Sequence, residues 1–88
     1  MPDIYVHASA CKRGVSEEGI RKLWKSGIED TWLDDRDPSR LLRISFYASG
    51  RAWELIALVF DDGRRYLVIH AMRLRKVTIA LLEGRSHE

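Results

Sequence analysis

The residue types best suited to chemistry lie close together in the second half of the chain. His70 stands near the end of the apolar run Tyr66-Leu-Val-Ile-His70, and Arg73, Arg75 and Lys76 follow directly. An imidazole titrates near neutrality and can act as general base or acid. Arginine and lysine supply fixed positive charge and N–H donors for a phosphate. A cationic cluster where a helix starts is unusual, because the helix dipole is positive there. The same helix start offers unpaired backbone N–H groups that attract an anion. Two readings fit: the cations and the helix end form a phosphate site, or the helix begins later than its apolar spacing suggests. A histidine at a strand end also has a purely structural use, as a hydrogen-bonding residue.

Other chemistries have less support. The chain has no G-x-S-x-G, P-loop, H-E-x-x-H or C-x-x-C motif. His7, His70 and His87 are scattered and Cys11 is the one cysteine, which argues against a closed zinc site. Asp34, Asp35 and Asp37 lack the ligand spacing of a calcium loop and read as a solvated turn. No metal or other cofactor is expected.

The elements that position these residues show in the periodicity. Asp3–Val6 is β-like, and residues 7–13 read as a helical turn or two capped by Gly14. Ser16 is an N-cap, followed by Glu17 and Glu18 in the first turn of a helix. Ile20, Leu23 and Trp24 form its apolar stripe, and Gly27 follows its end. Residues 29–34 suggest a strand, and Asp37-Pro38 a turn. Residues 41–48 alternate, with Leu42, Ile44, Phe46 and Ala48 on one side and Arg43, Ser45 and Tyr47 on the other. Residues 53–60 are nearly all apolar, as in a central strand. Asp61-Asp62-Gly63 marks a hairpin.

In the strand over 66–72, Leu67, Ile69 and Ala71 take one face and Tyr66, Val68, His70 and Met72 the other. A final helix is expected over 74–82, closed by Gly84, with a frayed tail over 85–88. Trp24, Trp32, Trp53 and Cys11 are assigned to the core. The sum is one α+β domain over residues 1–88: N-terminal helices on a three- to four-stranded antiparallel sheet, with a short C-terminal helix. If the two polar strand faces coincide, Arg43, Tyr47, Tyr66 and His70 share a surface, with Arg51 nearby and Arg73, Arg75 and Lys76 at its rim.

Charge and cysteine usage set the context. Residues 1–37 hold six Lys/Arg and eight Asp/Glu, whereas residues 38–85 hold nine and four. The basic excess lies in the half that holds His70, a modest electrostatic footprint for a polyanion. A single cysteine, and a start without a basic, then apolar, leader, suggest a cytoplasmic protein without a membrane span.

Several short motifs resemble, in order, those of BrnT-like toxins of the RelE/ParE toxin–antitoxin superfamily. Lys12-Arg-Gly-Val-Ser16 is similar to their K-H-G-[VI]-S, Leu41-Leu-Arg-Ile44 to R-x-L-x-I-G, and Gly50-Arg-Ala-Trp-Glu-Leu55 to G-R-x-L-E-V. Val68-Ile-His-Ala-Met-Arg-Leu-Arg75 resembles their V-I-H/S-A-R/M-x-[LA]-R close. Arg13 stands where that family usually has His, and Met72 where many members have Arg. The resemblance implies two N-terminal helices on a curved antiparallel sheet and metal-independent cleavage of RNA that inhibits translation. It also implies a small antitoxin partner. His70, Arg73 and Arg75 would then be catalytic, and Arg43, Tyr47, Arg51, Tyr66 and Lys76 would bind RNA. The alternative is a non-catalytic RNA- or protein-binding module on the same fold.

Overall fold

The computed structural model describes residues 2–47 and 49–86. Five strands form a single mixed sheet. They are β1 (Asp3–Val6), β2 (Glu29–Trp32), β3 (Ser39–Phe46), β4 (Ala52–Phe60) and β5 (Arg65–Arg73), in the spatial order β1-β5-β4-β3-β2. β2 to β5 pair antiparallel, while β1 lies parallel to β5 with Asp3 opposite Arg65. A 3₁₀ turn at Ala8–Cys11 and helix α1 (Glu17–Lys25) join β1 to β2. Helix α2 (Lys76–Ser86) follows β5.

The α+β class therefore stands, but the layout differs from the expected one. Five strands are present, not three or four, and one pairing is parallel. One α-helix precedes the antiparallel strands. The other N-terminal helical stretch is the 3₁₀ turn, which ends before Gly14 at φ 82°.

α1 forms as its sequence dictates. The Ser16 hydroxyl accepts the Gly19 N–H at 3.1 Å, and Glu17 and Glu18 sit against the positive dipole end. Ile20, Leu23 and Trp24 are buried on one stripe, against Leu41, Leu55, Ala57 and Val68 of the sheet. Its C-terminal end is closed by the sheet itself. Ser45 of β3 donates to Leu23 O at 2.6 Å, and the Arg43 guanidinium donates to Trp24 O at 2.8 Å. A cation and a hydroxyl thus supplement the local donors to these carbonyls, the Gly27 N–H to Trp24 O at 3.3 Å and the Ser26 hydroxyl to Leu23 O at 3.1 Å.

The hairpin between β4 and β5 uses left-handed backbone at Asp61, Asp62 and Gly63, as Asp-Asp-Gly suggests. Within that pair, Ile56 opposes His70 but Ala57 opposes Val68, so Ile69 is an extra residue on β5. The bulge switches the facing of everything after it. Tyr66 and Val68 lie on the α1 face, and His70 and Met72 on the other. The strict alternation expected for β5 is broken there, and Ala71 joins Val68 in the core under α1.

α2 starts at Lys76, two residues later than expected, and runs through Gly84 to Ser86. Gly84 is not its stop. It has no positive φ, and a Cβ there would meet nothing within 4 Å. Trp24 and Trp53 are core residues, but Trp32 is 53% exposed. Cys11 is half-buried against the core. Ala48, His87 and Glu88, and with them the expected facing of Ala48 and the expected fraying of the last two positions, lie outside the described residues.

Gly27 is needed where it stands. A Cβ there would overlap the Cγ and Cδ of Arg43, which are held between Trp24 and Asp30. Gly27→Ala is expected to lower stability by roughly 1–3 kcal/mol, the ordinary cost of overpacking. A lowered urea midpoint with an unchanged slope is the readout; an unchanged midpoint would show that Arg43 moves aside freely.

Candidate functional site

The site is built around a carboxylate inside the sheet. Glu54 lies on central strand β4 and is 1% exposed. Ile44 and Met72 flank it, so it lies on the face opposite α1. A buried carboxylate is costly unless its oxygens are hydrogen-bonded, and here both are. Oε2 accepts from His70 Nε2 at 3.1 Å and from Arg75 Nη2 at 2.8 Å. Oε1 accepts from the Thr78 hydroxyl at 2.6 Å and the Arg75 backbone N–H at 3.0 Å. Arg75 Nε lies 3.2 Å from each oxygen.

Burial raises the pKa of Glu54 and is the largest single influence. The bonds from Arg75, Thr78 and His70 together outweigh it and bring the carboxyl down to about 2. In return, Glu54 raises the pKa of the Arg75 guanidinium.

The donors come from three pieces of chain. β5 delivers His70 just after the bulge. The two-residue link Leu74–Arg75 delivers the Arg75 side chain and N–H, and the first turn of α2 delivers Thr78. The anion site expected at the helix start does exist, but Glu54 fills it. The Arg75 N–H and the Thr78 side chain bond to that carboxylate at the positive end of α2. This explains how cations are tolerated beside a helix start. It also removes the phosphate from that location.

The arrangement fixes a tautomer. An ionised carboxylate can only accept hydrogen bonds, so the proton of neutral His70 sits on Nε2. Nδ1 is left as the ring's acceptor. The side chain of His70 is 22% exposed, so the imidazole is reachable from solvent. A histidine oriented by a buried carboxylate is a usable general base, because the carboxylate stabilises the imidazolium that forms. Arg75 stands beside it with its side chain 47% exposed.

The other expected site residues are distributed differently. Arg43, Tyr47 and Tyr66 lie on the α1 face, not beside His70. Arg43 stacks 4.1 Å from the Trp24 ring centroid and bonds Asp30 at 2.7 and 2.8 Å. Tyr66 packs on Trp24 and Tyr47 on Trp53, each with centroids 5.3 Å apart. The surface expected to unite Arg43, Tyr47, Tyr66 and His70 therefore does not form. The Ile69 bulge moves His70 to the opposite face, and the polar side of β3 is the seat of α1.

Arg73 opposes Trp53 in register and so belongs to the α1 side of the sheet end. Arg51 and Lys76 are exposed. Among the described residues the side chains of Arg51, Arg73 and Lys76 make no ion pair. Glu54 and Thr78 were not anticipated as site residues. A signal for Glu54 was available: a single carboxylate inside Trp53-Glu-Leu-Ile-Ala-Leu-Val-Phe60 must find donors if that strand is central.

No family model, curated protein or solved structure matches the chain. Among the described residues no group of three His, Cys, Asp or Glu gathers that could hold a metal, and no helix is long and apolar enough to cross a membrane.

The depressed pKa of Glu54 has a signed consequence for stability. Its contribution is fully present above the unfolded value near 4.5 and is lost as pH falls through about 2. A lowering of this size corresponds to roughly 3 kcal/mol. Denaturant titrations are therefore expected to show stability falling across that acid window. In Glu54→Gln that part of the fall should vanish and stability at neutral pH should already be reduced. An unchanged acid limb in the variant would show that Glu54 does not carry it.

Proposed function

We propose that this chain is a metal-independent endoribonuclease, the toxin of a toxin–antitoxin pair, acting on RNA in the cytoplasm to inhibit translation. The observation that supports this most directly is the His70 imidazole held by ionised Glu54, with the Arg75 guanidinium alongside. Cleavage of RNA without a metal needs a base for the 2′-hydroxyl, positive charge for the phosphorane and a proton for the leaving oxygen.

In this reading His70 Nδ1 takes the 2′-hydroxyl proton, and the 2′-oxygen attacks the adjacent phosphorus. The bond to the 5′-oxygen breaks, that oxygen takes a proton from solvent, and the His70 imidazolium returns to solvent the proton it took from the 2′-hydroxyl. The products are a 2′,3′-cyclic phosphate and a 5′-hydroxyl end. Arg75 keeps Nη1 for the phosphorane, since Nε and Nη2 are committed to Glu54. Arg51, Arg73 and Lys76 are exposed cations that can draw in the backbone. A small antitoxin would neutralise the chain by covering the His70 face. The order of motifs shared with BrnT-like toxins supports the same reading.

One observation favours a second reading. Glu54 serves the start of α2 as well as His70, so the cluster has a structural use even without catalysis. On that basis the chain is a non-catalytic module that holds RNA or a protein.

Incubation of single-stranded RNA with purified protein in excess EDTA separates the two. The enzyme reading expects cyclic-phosphate products and a rate lowered about 10²–10⁴-fold in His70→Ala, the scale of general acid–base catalysis. Intact RNA, or cleavage unchanged in His70→Ala, overturns it. RNA binding without cleavage, with log K falling by about 0.7 for each phosphate contact as log salt rises, is the signature of the module.

A further inference from the structure

α2 has two apolar sides. Leu74, just before the helix, aligns with Thr78 and Leu82 at four-residue spacing. Thr78 is buried, and Leu74 and Leu82 are half-buried and line a groove with Ile44. On a different side, Val77, Ala80, Leu81 and Gly84 follow the spacing i, i+3, i+4, i+7, and all four are exposed. Val77 is 65% exposed and Leu81 43%. A helix that is apolar on both sides normally has both sides covered.

Gly84 adds an independent observation. Glycine weakens a helix interior, yet no positive φ and no neighbouring atom within 4 Å requires it here. A second helix packed close against that point would.

We infer that the outer stripe of α2 is a self-association surface, and that its occupant is α2 of a second copy of this chain, packed antiparallel. A two-fold axis midway between Ala80 and Leu81 sets Val77 against Gly84 and Ala80 against Leu81, so each large side chain meets a small one. Charge selects the direction. Lys76 and Glu83 are seven residues apart and share one flank of the stripe. Antiparallel packing brings Lys76 of one copy to Glu83 of the other, twice. Parallel packing would set that flank against the opposite flank of the partner helix and make neither pair. One 11-residue helix per copy makes a small contact, so the dimer is weak and reversible. The inference is independent of the proposed ribonuclease activity.

Sedimentation velocity of the full chain over a concentration series tests it. A reversible monomer–dimer equilibrium is expected. Leu81→Glu and Gly84→Leu should both be monomeric at every concentration. Gly84→Leu raises helix propensity, so its loss of dimer cannot be ascribed to a melted α2, and circular dichroism checks this. Lys76→Glu should weaken the dimer several-fold, and Lys76→Glu with Glu83→Lys should restore it. A wild-type chain that stays monomeric throughout overturns the inference and leaves the stripe to a different protein. A dimer indifferent to both Leu81→Glu and Gly84→Leu overturns it equally.

Discussion

The buried carboxylate of Glu54 is the interaction on which the non-α1 side of the molecule depends. A carboxylate at 1% exposure in the central strand would be strongly destabilising if its donors were absent. All of those donors lie C-terminal to the bulge in β5. His70, Arg75 and Thr78 can reach Glu54 together only if β5 ends where it does and α2 turns back across the sheet. One charge thus sets the position of the last strand's end, the link and the first turn of the helix. Leu74 and Leu82 line a groove with Ile44, but an apolar groove does not specify where along the sheet the helix starts.

The α1 side is organised by the opposite requirement. There the unsatisfied groups belong to the helix, and the sheet provides for them. Ser45 and Arg43, two residues apart on β3, both donate to carbonyls of α1's last turn. The aliphatic stem of Arg43 lies beside Gly27 while its guanidinium covers Trp24 and pairs with Asp30. A polar strand face therefore does the work of a docking surface. Its polar groups meet backbone carbonyls instead of water, which is how Ser45 comes to be fully buried.

Much of this was legible in the amino-acid order, and the rest was hidden for physical reasons. The Ser16 cap, the Ile20–Leu23–Trp24 stripe and the Asp-Asp-Gly turn are local signals, and each forms as read. The pairing of β1 with β5 joins residues about sixty positions apart and leaves no mark in local spacing. The Ile69 bulge defeats a period-two rule by one residue, and that one residue moves His70 to the other side of the sheet. Arg43, Ser45 and Tyr47 alternate as a solvated face would, because hydrogen bonds to a helix end need the same residue types as hydrogen bonds to water. Arg73, Arg75 and Lys76 form one cluster in the sequence. They divide among a strand end, a link and a helix.

This division bears on how an RNA phosphate would be handled. A cation balanced by a buried anion contributes little to the long-range field, so the Arg75–Glu54 pair is nearly neutral from a distance. Attraction of a polyanion then rests on exposed cations such as Arg51, Arg73 and Lys76, which make no ion pair among the described residues. At close range the pair behaves differently. Arg75 is already immobilised by its bonds to Glu54, so presenting its remaining N–H groups to a phosphorane costs little reorganisation. Glu54 acts on His70 through geometry as well: its bond to Nε2 fixes the ring's orientation and leaves Nδ1 as the acceptor that faces outward from the pair.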